Sequence, residues 1–488
     1  MFDFRLLFPD AVVFALLLGS LLGWRLPKVR AGIGLITCYG LIAAAGLQLG
    51  NLFTATGEAS RGGWLMLDGY AGLVRLVILV ASAAVAALAG DHLQAHPARA
   101  RFYTWLLLAT SGALVLPAAA DWAVLALSLE VMAIGASLLI GWDRSSQGSL
   151  ESRLRAEAAF KSYMPSAAAT ILLLFGVSWL FGLTGTITLA ETGGKLLDLG
   201  TTTHPPMLLA VLLVLGGLSC KALLVPFQAW VMDASEGSTP AALAFALTVP
   251  VVSTFAVLAR VLPGALMMAR DLWAPALVLM ALVAMGLGSL HAIAQARMTR
   301  MMAGAAIAQA GFLALALIAC AHPDAAPEAR SGLLVALAAY AASTLGAFAA
   351  IAALAEGTGE TSVVAYRGLA RRHPWLVGAL ALCLLSLCGL PPLAGFWGKV
   401  LVFKAVIGYA YLSQAYALVW LVVVAALQSA LAAYYYMRAP RLSLEKVAPT
   451  LPAFEVRPAA IAVAAGAVAL LVLFFLVPDA LWQLALKA

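Results

Sequence analysis

Charge is what this sequence has least of. Asp, Glu, Lys and Arg make up 10% of its 488 residues, and 64% are hydrophobic. Soluble domains carry about 25% charged residues, so this balance excludes one. Cysteine is sparse too. Cys38, Cys220, Cys320, Cys383 and Cys388 lie almost entirely in apolar runs, and none forms a CxxC. That argues against an iron–sulfur or zinc site and reads as small packing residues. There is no GxGxxG after a strand pattern and no Walker A sequence, so any nucleotide chemistry belongs to another chain. Long polar segments are missing as well. The largest, 143–161, 187–205, 356–374 and 438–457, leave no room for a soluble domain.

What is present is a series of long, unalternating apolar runs, which predicts a helical membrane protein rather than a barrel. About fourteen spans can be drawn, near 8–24, 31–51, 70–90, 103–120, 122–142, 163–186, 206–231, 239–262, 272–293, 303–321, 331–355, 376–409, 411–437 and 458–478. The first has no basic segment before it and is not a signal peptide. Pro117 and Asp121 divide 103–142 into two helices. The fold expected is an all-α polytopic membrane protein in one domain, 1–488. Residues 1–102 hold the first three helices, 103–262 and 272–437 two five-helix units (spans 4–8 and 9–13), and 438–488 a loop and the last helix.

Lysines and arginines divide unevenly between the loops. Those after odd-numbered spans, such as Arg25, Arg30, Arg144, Arg297, Arg300, Arg367 and Arg438, outnumber those on the other side, such as Arg61, Lys195 and Arg330. The positive-inside rule then puts both termini outside the cytoplasm of an inner (plasma) membrane. The net charge of +7 therefore orients the chain and marks no nucleic-acid surface.

Few ionisable groups fall deep in the spans. Glu130 is in the fifth, Lys161 at the start of the sixth, Lys221 in the seventh, and Lys399 with Lys404 in the twelfth. A lysine at bilayer depth costs roughly 2.5–3.5 kcal/mol on insertion scales and needs a polar path or a partner. Lys161 stands four residues after Glu157, a spacing at which the two can pair, and snorkelling to the interface is its plainer reading. A Glu130–Lys221 contact would neutralise both groups, and Lys404 has the extracytoplasmic interface within reach. Pro226 breaks the seventh span and Pro391-Pro392 the twelfth. A broken helix at depth is tolerated where protein or water re-satisfies the freed backbone. Two breaks in corresponding places predict an internal repeat and an ion pathway. Gln228, Gln309, Ser343, Thr344, Ser386 and Trp397 lie near them.

These residues also carry a resemblance. Lys221-Ala-Leu-Leu-Val-Pro-Phe-Gln-Ala-Trp with Glu236-Gly-Ser-Thr-Pro, and Leu385-Ser-Leu-Cys-Gly-Leu-Pro-Pro-Leu-Ala-Gly-Phe-Trp-Gly-Lys399, resemble signatures of subunit N of proton-translocating NADH–quinone oxidoreductase, respiratory complex I. Leu127-Ser-Leu-Glu130, Glu157-Ala-Ala-Phe-Lys161, Ser343-Thr-Leu-Gly-Ala-Phe and Tyr366-Arg-Gly-Leu match further positions. Mrp-type antiporter subunits and hydrogenase membrane subunits share the superfamily. The resemblance covers roughly 60–440. It implies fourteen helices in two inverted repeats, with helices 7 and 12 broken. It implies proton transfer driven by redox chemistry elsewhere, with no redox site here. NADH, FMN, iron–sulfur clusters and quinone then sit on partner subunits. By the resemblance, Glu130 is the coupling carboxylate, Lys221 the first axis lysine, Lys161 a member near Glu130, and Lys399 the lysine leading to the exit side.

The sequence also departs from the pattern. Val251 stands where the family usually has a helix-8 lysine, and helix 10 reads Ala303-Gly304-Ala305-Ala306-Ile307-Ala308-Gln309. The middle of the axis is less polar than the family's, leaving Thr248, Ser253, Gln309 and water to bridge it. Two other readings use the same residues: a monovalent cation/proton antiporter subunit, and a structural subunit that has lost transport.

Overall fold

The computed structural model describes residues 4–24, 26–54, 60–61, 63–93, 96–143, 150–199, 205–445, 456–478, 482–483 and 486. The described residues form eighteen α-helices and one two-stranded hairpin, Ser60–Arg61 with Met66–Leu67. Three helices lead: α1 (Phe8–Leu22), α2 (Pro27–Thr54) and α3 (Gly69–Leu93). The first five-span unit follows with α4 (Arg99–Val115), α5 (Trp122–Ile140), α6 (Leu150–Thr184), α7 (Leu189–Leu199), α8 (Pro205–Ser219), α9 (Ala229–Gly237) and α10 (Pro240–Val261). The second comprises α11 (Arg270–Ala294), α12 (Met298–Ala319), α13 (Ala326–Thr358), α14 (Pro374–Cys388), α15 (Ala394–Leu412) and α16 (Val419–Tyr436). Short α17 (Arg438–Ser443) and α18 (Pro458–Leu476) close the chain.

Each of the fourteen apolar runs is occupied by a helix or a broken pair. Among the described residues, 11 helices are long and apolar enough to cross a membrane. The shorter apolar helices α8 and α14 are the first halves of the broken seventh and twelfth spans. Asp121 caps α5 by accepting from the Val124 amide (2.7 Å), which separates it from α4 as Pro117 and Asp121 foretold. Thr239 with Pro240 starts α10 in the same way.

Two polar stretches are less irregular than their composition implies. α6 begins at Leu150, thirteen residues before the apolar run, because its first turns are built of good helix formers. Within 187–205, α7 lays Leu189, Thr192 and Leu196 inward and Lys195 and Asp198 outward, one face of a 3.6-residue period.

α10, α12 and α13 are almost wholly enclosed. The outer helices carry exposed Leu35, Ile171 and Trp420, side chains suited to lipid or to neighbouring subunits. In lipid there is no hydrophobic drive between helices, so close backbone approach must supply the packing. Glycines provide it. A Cβ at Gly288 would fall 2.3 Å from the Ala308 nitrogen, and one at Gly304 2.7 Å from the Ala292 nitrogen, so α11 and α12 lie backbone to backbone. Gly112 and Gly135 do the same for α4 and α5.

Candidate functional site: buried lysines at two helix breaks

The seventh span breaks earlier than its proline. α8 ends at Ser219, so Lys221 lies in the irregular segment itself, which runs to Gln228. Leu223 adopts φ +60°, a left-handed conformation uncommon for a branched side chain, and the Val225-Pro226 peptide is cis. Lys221 is buried, its Nζ 4.9 Å from the centre of the Trp230 ring. The Trp230 indole nitrogen donates to the Cys220 carbonyl at 3.3 Å, which fixes the ring over the lysine. A ring face offers negative potential to an ammonium without itself carrying charge.

The twelfth span is built alike. α14 stops at Cys388, Gly389 has φ +81°, Pro391-Pro392 is cis, and α15 starts at Ala394. Lys399, on α15, turns back towards the end of α14. Its Nζ donates to the Cys388 carbonyl at 2.9 Å and to Ser429 Oγ of α16 at 2.6 Å, and stands 5.2 Å from the Phe312 ring centre. A helix C-terminus leaves carbonyls unpaired and partly negative, so the broken half-helix is itself a cation site. The halves touch closely: a Cβ on Gly395 would fall 1.8 Å from the Ser386 carbonyl oxygen.

Beside Lys399 lies a cavity of about 20 Å³ lined by Gln309, Tyr340, Ser343 and Ser386 among others. That is room for one water with polar neighbours to hold it. Gln309 Nε2 donates to the Leu387 carbonyl (2.6 Å), Ser343 Oγ to Ser386 Oγ (2.8 Å), and Tyr340 reaches α10 by donating to the Leu247 carbonyl (2.6 Å).

Glu130 and Lys221 do not form the direct ion pair the sequence suggests: none is found between them among the described residues. Glu130 is half-buried on α5 and accepts instead from α6, from Thr170 Oγ1 at 2.6 Å and Tyr163 OH at 3.2 Å. Those neutral donors satisfy its oxygens without a cation. Lys161 is exposed, 2.7 Å from Glu157 and 3.7 Å from Asp233 of α9. It sits on the surface and not among the enclosed lysines. Lys404 pairs with Glu328 at 3.3 Å on the loop side that holds few basic residues.

Val251 of α10 is apolar and fully buried. Two neighbouring hydroxyls are used, Thr248 Oγ1 on the Ala244 carbonyl and Ser253 Oγ on the Ala113 carbonyl, while the buried Thr254 hydroxyl on the same helix is unpaired. Trp397 is turned away, donating to the Phe475 carbonyl of α18. Sequence reasoning missed Thr170, Tyr163, Trp230 as a ring partner, and Ser429. Among the described residues no group of three His, Cys, Asp or Glu could hold a metal ion.

Residues 119–429, spanning both breaks, match the family described as NADH:quinone oxidoreductase/Mrp antiporter, TM. The chain belongs to that family. NAD(P)H-quinone oxidoreductase subunit 2 of Gloeobacter violaceus is 33% identical over 434 residues, covering 88% of this chain and 79% of the relative. NADH-quinone oxidoreductase subunit N of Desulfovibrio desulfuricans is 34% identical over 455 residues, covering 89% and 86%. A chain of respiratory complex I from Thermus thermophilus superposes with a TM-score of 0.79 at 28% identity, covering 98% of this chain and 99% of that one. The expectation of an antiporter-like complex I membrane subunit, with its all-helical fold broken in spans seven and twelve, is thereby met.

Proposed function

We propose that this chain moves protons across the membrane as the antiporter-like subunit of a complex I-type NADH–quinone oxidoreductase, driven by redox chemistry in partner subunits. The observation that carries the reading is the pairing of Lys221 and Lys399, each enclosed at a helix break and each held by groups that tolerate both of its protonation states. A ring face, a carbonyl and a hydroxyl all accommodate a neutral amine as well as an ammonium. Glu130, with its two neutral donors, is the coupling carboxylate at the lateral surface of the first unit. Lys161 hands protons to that surface, and Gln309 belongs to the water site beside Lys399. Other membrane subunits pack against the exposed apolar helices, and NADH, FMN, iron–sulfur clusters and quinone are bound by partners. The arginine-rich loops face the cytoplasm and both termini face away from it, in a bacterial-type inner membrane.

The test is the number of protons moved per electron by the assembled complex in sealed vesicles. Lys221→Ala and Lys399→Ala are each expected to lower it with assembly intact. Unchanged stoichiometry in both favours the second reading, a structural subunit, for which the apolar packing at Val251 speaks.

A further inference from the structure

Away from the enclosed lysines, α15 borders a crevice of about 210 Å³. Its walls include Val335 of α13, Ala394, Trp397 and Leu401 of α15, and Phe474 and Trp482 at and beyond the end of α18. These are apolar or aromatic, and the cation among the lining residues is Lys404. Lys404 Nζ lies 3.3 Å from Glu328, in the first turn of α13, and 5.7 Å from the centre of the Trp482 ring. The two charged side chains are 57% and 46% exposed, so each has hydrogen-bonding capacity beyond its partner. They stand on the side that holds few basic residues. From Ala394 to Lys404 is ten residues, about 15 Å along α15. That is half of a hydrocarbon core roughly 30 Å thick, so the crevice spans the depth of one leaflet, apolar at the break and charged at its mouth. A helix, about 10–12 Å across, would need far more volume over that length.

We propose that this crevice binds one zwitterionic phospholipid of the phosphoethanolamine class, from the leaflet opposite the arginine-rich face. One acyl chain lies along Trp397 and Leu401. The phosphate accepts from Lys404 Nζ, and the headgroup ammonium donates to Glu328. A cation and an anion side by side match a headgroup dipole, whereas a headgroup with negative charge alone meets repulsion from Glu328. The aliphatic stem of Lys404 runs along the apolar wall and delivers its charge to the headgroup level. The Trp482 indole sits at the same level, where amphipathic rings are favoured. The assignment stands apart from the proton-carrying roles of Lys221 and Lys399.

The assembled complex in nanodiscs of phosphatidylethanolamine and phosphatidylglycerol in equal parts tests it. A density map is expected to show a single acyl chain beside Trp397 and Leu401, with its phosphate within hydrogen-bond reach of Lys404 Nζ. A crevice left empty, or filled by a side chain of another subunit, overturns the proposal. Mass spectrometry reads the headgroup. The delipidated complex, exposed to the same mixture and washed, is expected to retain one more phosphatidylethanolamine than the Lys404→Gln complex. Glu328→Gln keeps the shape of its side chain and removes the partner of the ammonium, so phosphatidylglycerol is expected to take the place. Equal phosphatidylethanolamine in all three complexes overturns the proposal, as does phosphatidylglycerol retained at the unaltered site. Lys404→Arg, which preserves the charge, is expected to keep the lipid; a loss there equal to that in Lys404→Gln means packing and not charge, and overturns the pairing.

Discussion

Lys399 donates to the carbonyl of Cys388, the last residue of the half-helix that its own span has broken off. The break thus creates an acceptor, and the lysine eleven residues on fills it. Substituting Lys399 with Met removes the proton carrier and leaves this buried carbonyl bare. A buried acceptor without its donor costs about 1–3 kcal/mol, so Lys399→Met is expected to melt earlier as well as to pump less. Thermal unfolding of the purified complex checks the first effect. Lys399→Arg, which retains a donor but not an easily lost proton, separates it from the second.

Gly389 makes a sharper probe of the same contact. Its φ of +81° is left-handed, and a Cβ there would stand 2.4 Å from Lys399 Cδ. Gly389→Ala therefore carries both backbone strain and a clash with the stem of the lysine. The expected result is a loss of proton translocation approaching that of Lys399→Ala without removal of any titratable group. Normal pumping in Gly389→Ala means that the lysine has freedom to sit elsewhere.

The breaks and their lysines were legible in the sequence, because a charge or a proline in an apolar run stands out against a lipid background. What holds those charges was not. Ser429 lies 30 residues from Lys399 and Thr170 lies 40 from Glu130, each a lone hydroxyl among many. Only packing decides which hydroxyls meet a charge. The expected Glu130–Lys221 pair went unmade for the same reason: α6 presents Thr170 and Tyr163 to the carboxylate. The position of Lys221 within the break also escaped, since Pro226 marks the break while α8 already ends at Ser219.

At Glu130, Thr170→Val removes the hydrogen bond of 2.6 Å while keeping the shape of the side chain. Hydrogen bonds to charged groups contribute about 1.5–3 kcal/mol, so the ionised carboxylate loses a substantial part of its support. Coupled proton movement is expected to weaken in Thr170→Val and to persist in Thr170→Ser. Equal activity in the two variants shows that Thr170 does not support the charge.

Trp230 is expected to act on Lys221 through its ring. Trp230→Leu keeps an apolar neighbour but removes the π face 4.9 Å from Nζ, a contact worth about 2 kcal/mol when desolvated. Trp230→Phe retains a weaker face. Proton translocation falling in the order Trp, Phe, Leu supports the cation–π contact, whereas equal loss in both variants points to packing alone.

Outside the membrane spans, Glu191 in the first turn of α7 gives a pH prediction. Hydrogen bonds from Thr186 and Thr188 hold its carboxyl below the ordinary carboxylate value of 4.5, and Thr186 Oγ1 lies 2.5 Å from the carboxylate. A carboxyl whose folded value is lowered contributes its stability above the unfolded value and loses it as pH falls through the folded one. Protection of the first α7 amides against hydrogen exchange is therefore expected to be constant above pH 4.5 and to fall below it, after correction for the intrinsic exchange rate. In Thr186→Val the fall is expected to be smaller, because the folded and unfolded values of the carboxyl then lie closer together. An undiminished fall in that variant means that Thr186 does not set the titration of Glu191.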